Sequence, residues 1–272
     1  MSRRLWLLAS FVLCLVASSA SAEGKKKLLL VGHPPDGHPP TTHEYVAGLG
    51  VLAKCLAKVE GLEVTQVEAV GAWKDGPELM ERADGVVLFV SEGAKWLQAD
   101  PARHKALANV AQRGGALVVL HWGMGTREAG PIADFLKLFG GCHGGPDRKY
   151  VVTEVQAELV DPKHPIAAGL GAFKVKDEFY YRLKFVTPAG SVKPVLQVPI
   201  DGQKETVAWS WERPDGGRSF GFSGLHFHDN WRLPEYRRLV AQGVLWTMKL
   251  PVPNGGLPVE VSDDDIKLKP KN

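Results

Sequence analysis

The chain has 272 residues, with 33 lysines and arginines against 30 aspartates and glutamates, for a formal net charge of +3. A balance this close to neutral, with no basic stripe interleaved with aromatics, argues against nucleic acid as a partner. Three cysteines are too few for a disulfide framework, and the length suffices for one large domain, or two small ones, whose core needs no staples.

Residues 1–22 combine Arg3 and Arg4, an apolar stretch from Leu5 to Val16 and the small residues Ala20-Ser21-Ala22. This pattern predicts a signal peptide cleaved before Glu23, and so a periplasmic or extracellular mature chain. The apolar stretch is too short to cross a bilayer comfortably, and no second one follows, so no membrane span is expected after cleavage.

Lys26 to Val31 is a short apolar run suited to a buried strand, and a Gly/Pro/His loop follows from Gly32 to Thr42. Tyr45, Leu49, Leu52, Leu56 and Val59 recur at helical spacing and predict a helix with one apolar face. Leu62 to Val67 alternates as a strand, Glu78 to Arg82 forms a short helix, and Val86 to Val90 is a second continuous apolar strand. Pro101 to Gln112 predicts a helix capped by Asp100 and stopped by Gly114-Gly115, before a third buried strand from Ala116 to Leu120. Wholly apolar strands alternating with helices point to a parallel sheet covered on both faces.

The second half is richer in strands. Tyr150 to Leu159 and Val207 to Trp211 alternate, and Arg218 to Leu225 is strand-like after the turn Pro214 to Gly217. Pro234 to Met248 predicts a last helix, and the Pro-, Gly-, Asp- and Lys-rich residues 251–272 a loosely held extension. Cys55 and Cys142 could pair in an oxidising compartment, although Cys55 sits in an apolar helical pattern as a small buried hydrophobe would. The run Gly140 to Gly145 around Cys142 and His143 is open to two readings, an anion nest or Cys-His pair and a plain helix end with a tight turn.

Ligands of an open parallel sheet collect beyond the carboxyl ends of its strands, and histidines concentrate there. His33, His38 and His43-Glu44 follow the first strand, His121 ends the strand Ala116 to Leu120, and His226 and His228 follow Arg218 to Leu225. Imidazoles at one rim suit a borderline metal such as zinc, or proton transfer near neutral pH, and the spacing alone does not choose. His38, His43, Glu44, His226 and His228 form the pool of metal ligands, with His121 and Glu178 as acid/base candidates. His226 and His228 would present both rings on one side if the strand continued through them. Asp177, Tyr180, His143 and Trp231 are candidates for sugar contacts, because carboxylates beside aromatic faces grip hydroxyls.

Several pieces, in order, resemble the ThuA-like (trehalose utilisation) family. They are His43-Glu44-Tyr45, Leu120-His121, His164-Pro165-Ile166, Asp177-Glu178-Phe179-Tyr180, Val207-Ala208-Trp209, Gly221-Phe222-Ser223-Gly224 with His226-Phe227-His228, and Leu245-Trp246. The resemblance covers residues 26–250 and implies a three-layer α/β fold of the flavodoxin-like, class I glutamine amidotransferase-like type. It implies a mostly parallel central sheet with a β-rich elaboration in the second half. That superfamily places a cysteine at the turn after a central strand; here the turn carries His121, so amidotransferase activity is not expected. The resemblance also implies a small carbohydrate partner, as substrate of a sugar or keto-sugar hydrolase or isomerase, or as ligand of a non-catalytic binding module.

Overall fold

The computed structural model describes residues 24–188 and 190–269, so the segment read as a signal peptide lies outside the described residues. In chain order come β1 (Lys26–Gly32), α1 (Tyr45–Leu56), β2 (Leu62–Glu68), α2 (Gly76–Glu81), β3 (Gly85–Phe89), α3 (Gly93–Gln98), α4 (Pro101–Gln112) and β4 (Ala116–Leu120). A 3-10 turn at His121–Met124 leads to β5 (Gly125–Thr126), α5 (Ile132–Phe139) and β6 (Gly141–Gly144). There follow β7 (Lys149–Leu159), β8 (Phe173–Tyr181), β9 (Lys184–Phe185), β10 (Val192–Ile200), β11 (Gln203–Glu212), β12 (Arg218–Phe222), α6 (Pro234–Thr247) and α7 (Asp263–Ile266).

The main sheet has the order β2-β1-β3-β4-β12-β11-β10-β7-β8. Its first five strands are parallel, and β12 is the seam: parallel to β4, antiparallel to β11. The continuous apolar strands serve two cores at once, because successive side chains point to opposite faces. Leu28, Leu30, Val87, Phe89, Val118 and Leu120 enter the core shared with α1 and α6. Leu29, Val31, Val86, Leu88, Leu117 and Val119 enter the one shared with α4 and α5. Each such side chain stabilises the fold by about 1.5–3 kcal/mol, which is why these strands carry no polar alternation. The predicted cap of α4 is present, with Asp100 accepting from the amides of Ala102 and Arg103.

Three expectations are corrected. Cys55 and Cys142 are both free and buried, one in each core with the sheet between them, so they do not pair. Burial pushes their thiols up to about 11 and about 12, which also removes the reactive Cys-His reading. The extension after residue 250 is not loosely held: Leu257, Val259 and Ile266 are buried, and α7 carries a Ser262/Asp265 capping box. Arg237 Nε donates to the Val259 carbonyl, and the Leu257 amide to Gln242 Oε1. The polar composition hid three apolar anchors set too far apart to show a period.

β7 and β8 pair along their length, from Lys149 opposite Tyr181 to Ala157 opposite Phe173. β10, by contrast, meets β7 only at Leu159 and Glu158. Along the rest of its length the hairpin runs without β10 beside it, and residues of β8, last in the sheet order, reach His121 and the 225–226 loop at the carboxyl ends of β4 and β12.

Candidate metal centre and adjoining cavity

Three loops converge at that end. The loop after β1 ends at His43, the turn after β4 begins at His121, and the loop after β12 carries Leu225 and His226. All three sites use left-handed backbone, with φ of +53° at His43, +46° at His121 and +78° at Leu225. Such conformations cost roughly 1–3 kcal/mol each and persist only where the surroundings over-determine them. Here the His43 amide donates to the His226 carbonyl, the His228 amide to Thr41, and Thr42 bridges to Phe227. Asp177, fully buried on β8, accepts from the amides of Leu225 and His226 and from the Tyr236 hydroxyl.

The result is a cluster of side-chain donors. His43 Nε2 lies 3.1 Å from His121 Nε2, which lies 3.3 Å from His226 Nδ1 and 3.1 Å from the Tyr180 hydroxyl. Glu178 Oε1 stands 3.6 Å from His226 Nδ1 and 3.9 Å from His121 Nε2. One ligand atom each from His43, His121, Glu178 and His226 fits within 4.8 Å, a donor set able to hold a metal ion.

The hydrogen bonds fix the tautomers. His121 Nδ1 is 2.7 Å from the Ser223 carbonyl, which only accepts, so Nδ1 carries the proton and Nε2 a lone pair. His43 Nδ1 lies 3.1 Å from Asp36 Oδ2. Tyr45 donates to the same oxygen at 2.7 Å, and His38 Nδ1 lies 2.7 Å from Oδ1. Although burial alone would raise it, these contacts hold the Asp36 carboxyl far below the usual carboxylate range. An ionised Asp36 accepts from His43 Nδ1, which also lies 2.9 Å from the Tyr45 hydroxyl, and in that tautomer His43 Nε2 presents a lone pair. Two lone pairs face each other across 3.1 Å. In these tautomers neither neutral ring hydrogen-bonds to the other; the Tyr180 hydroxyl, 3.1 Å from His121 Nε2, can donate to that nitrogen, and a cation held between the rings would be shared by both lone pairs. Burial, foremost, and then His43 and His226 push the His121 imidazole well below its ordinary value, which disfavours a proton in that place. Imidazoles on one tetrahedral zinc ion would set their nitrogens about 3.3–3.4 Å apart, given zinc–nitrogen bonds of about 2.0–2.1 Å.

Beside the cluster opens a cavity of about 220 Å³ lined by His38, His43, Trp122, Arg127, His143, Arg148, Tyr150, Glu178 and Tyr180. One wall is a stack of rings: His143 on Tyr180 at 4.0 Å, and Tyr180 on His121 at 4.6 Å. Burial and the neighbouring Asp177 raise Glu178 to about 7.

Residues 35–247 match the ThuA family, described as trehalose utilisation. The chain belongs to the ThuA family. Among solved structures it is similar to a ThuA-like protein from Parabacteroides merdae ATCC 43184, 16% identical with a TM-score of 0.61, over 91% of this chain and 100% of that one. A ThuA-like protein from Bacteroides uniformis ATCC 8492 is 14% identical with a TM-score of 0.63, over 85% and 94%. A glutamine amidotransferase from Thermotoga maritima matches over 84% and 97% at 10% identity, with a TM-score of 0.44. No curated protein matches the sequence. Among the described residues of this ThuA-family chain, no helix is long and apolar enough to cross a membrane.

Of the expected ligands, His43 and His226 enter the cluster, and His38 groups instead with Asp36 and His43, a second set whose ligand atoms lie within 4.8 Å, its ring tilted against that of His43 at 3.7 Å. His228 does not enter. The strand stops at Phe222 and a 3-10 turn begins at His228, so its ring points away and Nε2 donates to the Ile266 carbonyl at 2.6 Å. Glu44 is also outside: it accepts from the Thr41 amide and lies beside the C-terminal segment. His121, expected as an acid/base group, is 0% exposed and stands among the ligand donors. Of the expected sugar contacts, Tyr180 and His143 line the cavity, whereas Asp177 holds the 225–226 loop from within. Trp231 is core: a Cβ added at Gly48 would come within 2.6 Å of its Nε1. Asp36, Tyr45, Trp122, Arg127 and Arg148 were not anticipated.

The buried histidines lead us to expect an acid-labile fold in this ThuA-family chain. Burial, as the largest cause, lowers His43, His121, His143 (to about 3) and His226 (to about 4). Their stabilisation is complete above pH 6.5, where unfolded imidazole is neutral too, and is lost as pH falls towards 4 and 3. Asp177 and Glu178, raised mainly by burial to about 6 and about 7, act in the opposite sense, favouring the fold at low pH, but the rings outnumber them. The melting temperature of metal-free protein is therefore expected to fall between pH 7 and pH 5. A flat or rising profile would show that these rings are not held neutral.

Proposed function

We propose that this chain is an exported enzyme of sugar or keto-sugar utilisation, with His43, His121 and His226 holding a divalent transition metal, zinc foremost. The observation that carries the reading is the buried set of His43, His121, His226 and the adjoining Glu178, whose ligand atoms all lie within 4.8 Å of one another. Three protein ligands leave a position open, as in catalytic rather than structural zinc sites. An ion bound there would polarise a carbonyl or hydroxyl oxygen of the sugar.

The chain's own residues do the rest. Asp36 orients the His43 ring and the Ser223 carbonyl orients His121, the outer hydrogen bonds that fix metal-ligating imidazoles. Glu178, next to the cluster and facing the cavity, exchanges a proton near neutral pH, at a carbon beside a carbonyl or at a glycosidic oxygen. The Tyr180 hydroxyl keeps its proton and supplies a hydrogen bond at the same place.

The test is metal content by mass spectrometry on the mature chain, purified without tag or chelator, followed by turnover assays on trehalose and its keto form. Near-stoichiometric metal supports the reading, and a well-folded metal-free protein overturns it. Glu178→Gln is expected to keep the metal and lose about 100-fold or more of turnover. Metal and sugar binding with no turnover in the wild-type protein would instead mark a binding module.

A further inference from the structure

Among the described residues lining the cavity is a guanidinium that no carboxylate neutralises. Arg127 is ion-paired to Glu92, and Lys184 to Asp147 at 2.8 Å. The carboxylates on the cluster side are committed, Asp36 to His38, His43 and Tyr45, and Glu178 to the imidazoles. Arg148 lines the same cavity and, among the described residues, has no carboxylate within ion-pair distance. It makes one hydrogen bond, 3.3 Å from Nη1 to the Gly145 carbonyl, which leaves most of a five-donor guanidinium unspent. Its field reaches into the site, for after burial it is Arg148 and then Lys184 that depress the neighbouring His143. The same cavity is lined by the half-exposed Tyr150, and by Trp122, which is buried with the Arg127 guanidinium over its ring.

We propose that the sugar taken by this site is anionic, a uronic-acid-type sugar whose carboxylate pairs with Arg148 while its ring rests against Tyr150. A planar guanidinium matches a carboxylate in a two-pronged pair, and a sulfate ester offers the same oxygen geometry. This inference rests on the sugar reading above and narrows it.

Titration calorimetry on the metal-loaded mature chain tests it, with glucuronate, glucose 6-sulfate and glucose as probes. Glucuronate is expected to bind at least about tenfold more tightly than glucose, the worth of one charge-assisted contact. In Arg148→Ala that ratio collapses towards one, in Arg148→Lys it falls part of the way, and in Arg127→Ala it persists. A sulfate ester that outbinds glucuronate also supports the anionic class and moves the source from carboxylate to sulfate. Equal binding of glucose and glucuronate by wild-type protein, or a ratio retained in Arg148→Ala, overturns the inference and leaves the sugar reading standing. Binding of none of the three by metal-loaded protein overturns the sugar reading and the inference with it.

Discussion

His121→Ala is expected to drop metal content from near one per chain to background and to weaken affinity by about 100-fold or more. The variant removes the donor that contacts both other imidazoles, at 3.1 and 3.3 Å, and leaves a buried gap without a third ligand. The fold should survive, because the chief structural loss is one hydrogen bond to the Ser223 carbonyl, about 1–3 kcal/mol if that group stays dry. Asp36→Asn makes the finer test. It keeps all three ligands but weakens the acceptor that fixes His43, and should cost about 10–100-fold in affinity. Competition against a chelator measures both. Wild-type affinity in His121→Ala would exclude the cluster as the metal site.

Removal of residues 254–272 is expected to unfold the chain or lower its melting temperature steeply. The cut strips Leu257, Val259 and Ile266 from the core, each worth about 1.5–3 kcal/mol, against a total of about 5–15 kcal/mol for an ordinary domain. It also takes away the carbonyls that Arg237 and His228 bond. Ile266→Ala isolates the packing part and should cost about 2–3 kcal/mol in urea unfolding. Unchanged stability in both variants would return the segment to the status of a loose extension.

Most of the fold is legible in the sequence because its central strands are buried on both faces and so read as unbroken apolar runs. β4 and α4 match the expected residues end to end. What escaped is structure without a period: α3 is too short to show one, and β10 carries Pro194 and Pro199. The site was legible in kind and only partly in detail. Its histidines stand out as a group at strand ends, but Asp36 reads as an ordinary Asp-Gly turn, and only the folded loop turns it under His43. His228 was misplaced because a strand was carried past Phe222. Asp177 and Trp231 were misplaced because residue type does not tell a wall of a cavity from a floor beneath it. The β7–β8 hairpin, which delivers Glu178 and Tyr180, depends on β10 pairing with only the far end of β7, and no local signal in the sequence records that.

The seam position of β12 also has a consequence for how the protein is made. β4 receives its second neighbour from a segment about a hundred residues further along the chain, and His121 meets His226 across 105 positions. As the chain emerges from its N-terminus, β2, β1, β3 and β4 can pair while β4 still presents Ala116–Leu120 as an open, wholly apolar edge. Such an edge invites pairing with another chain until it is closed. Pairing of β12 with β4 closes that apolar edge and, by the same contact, sets His226 beside His121.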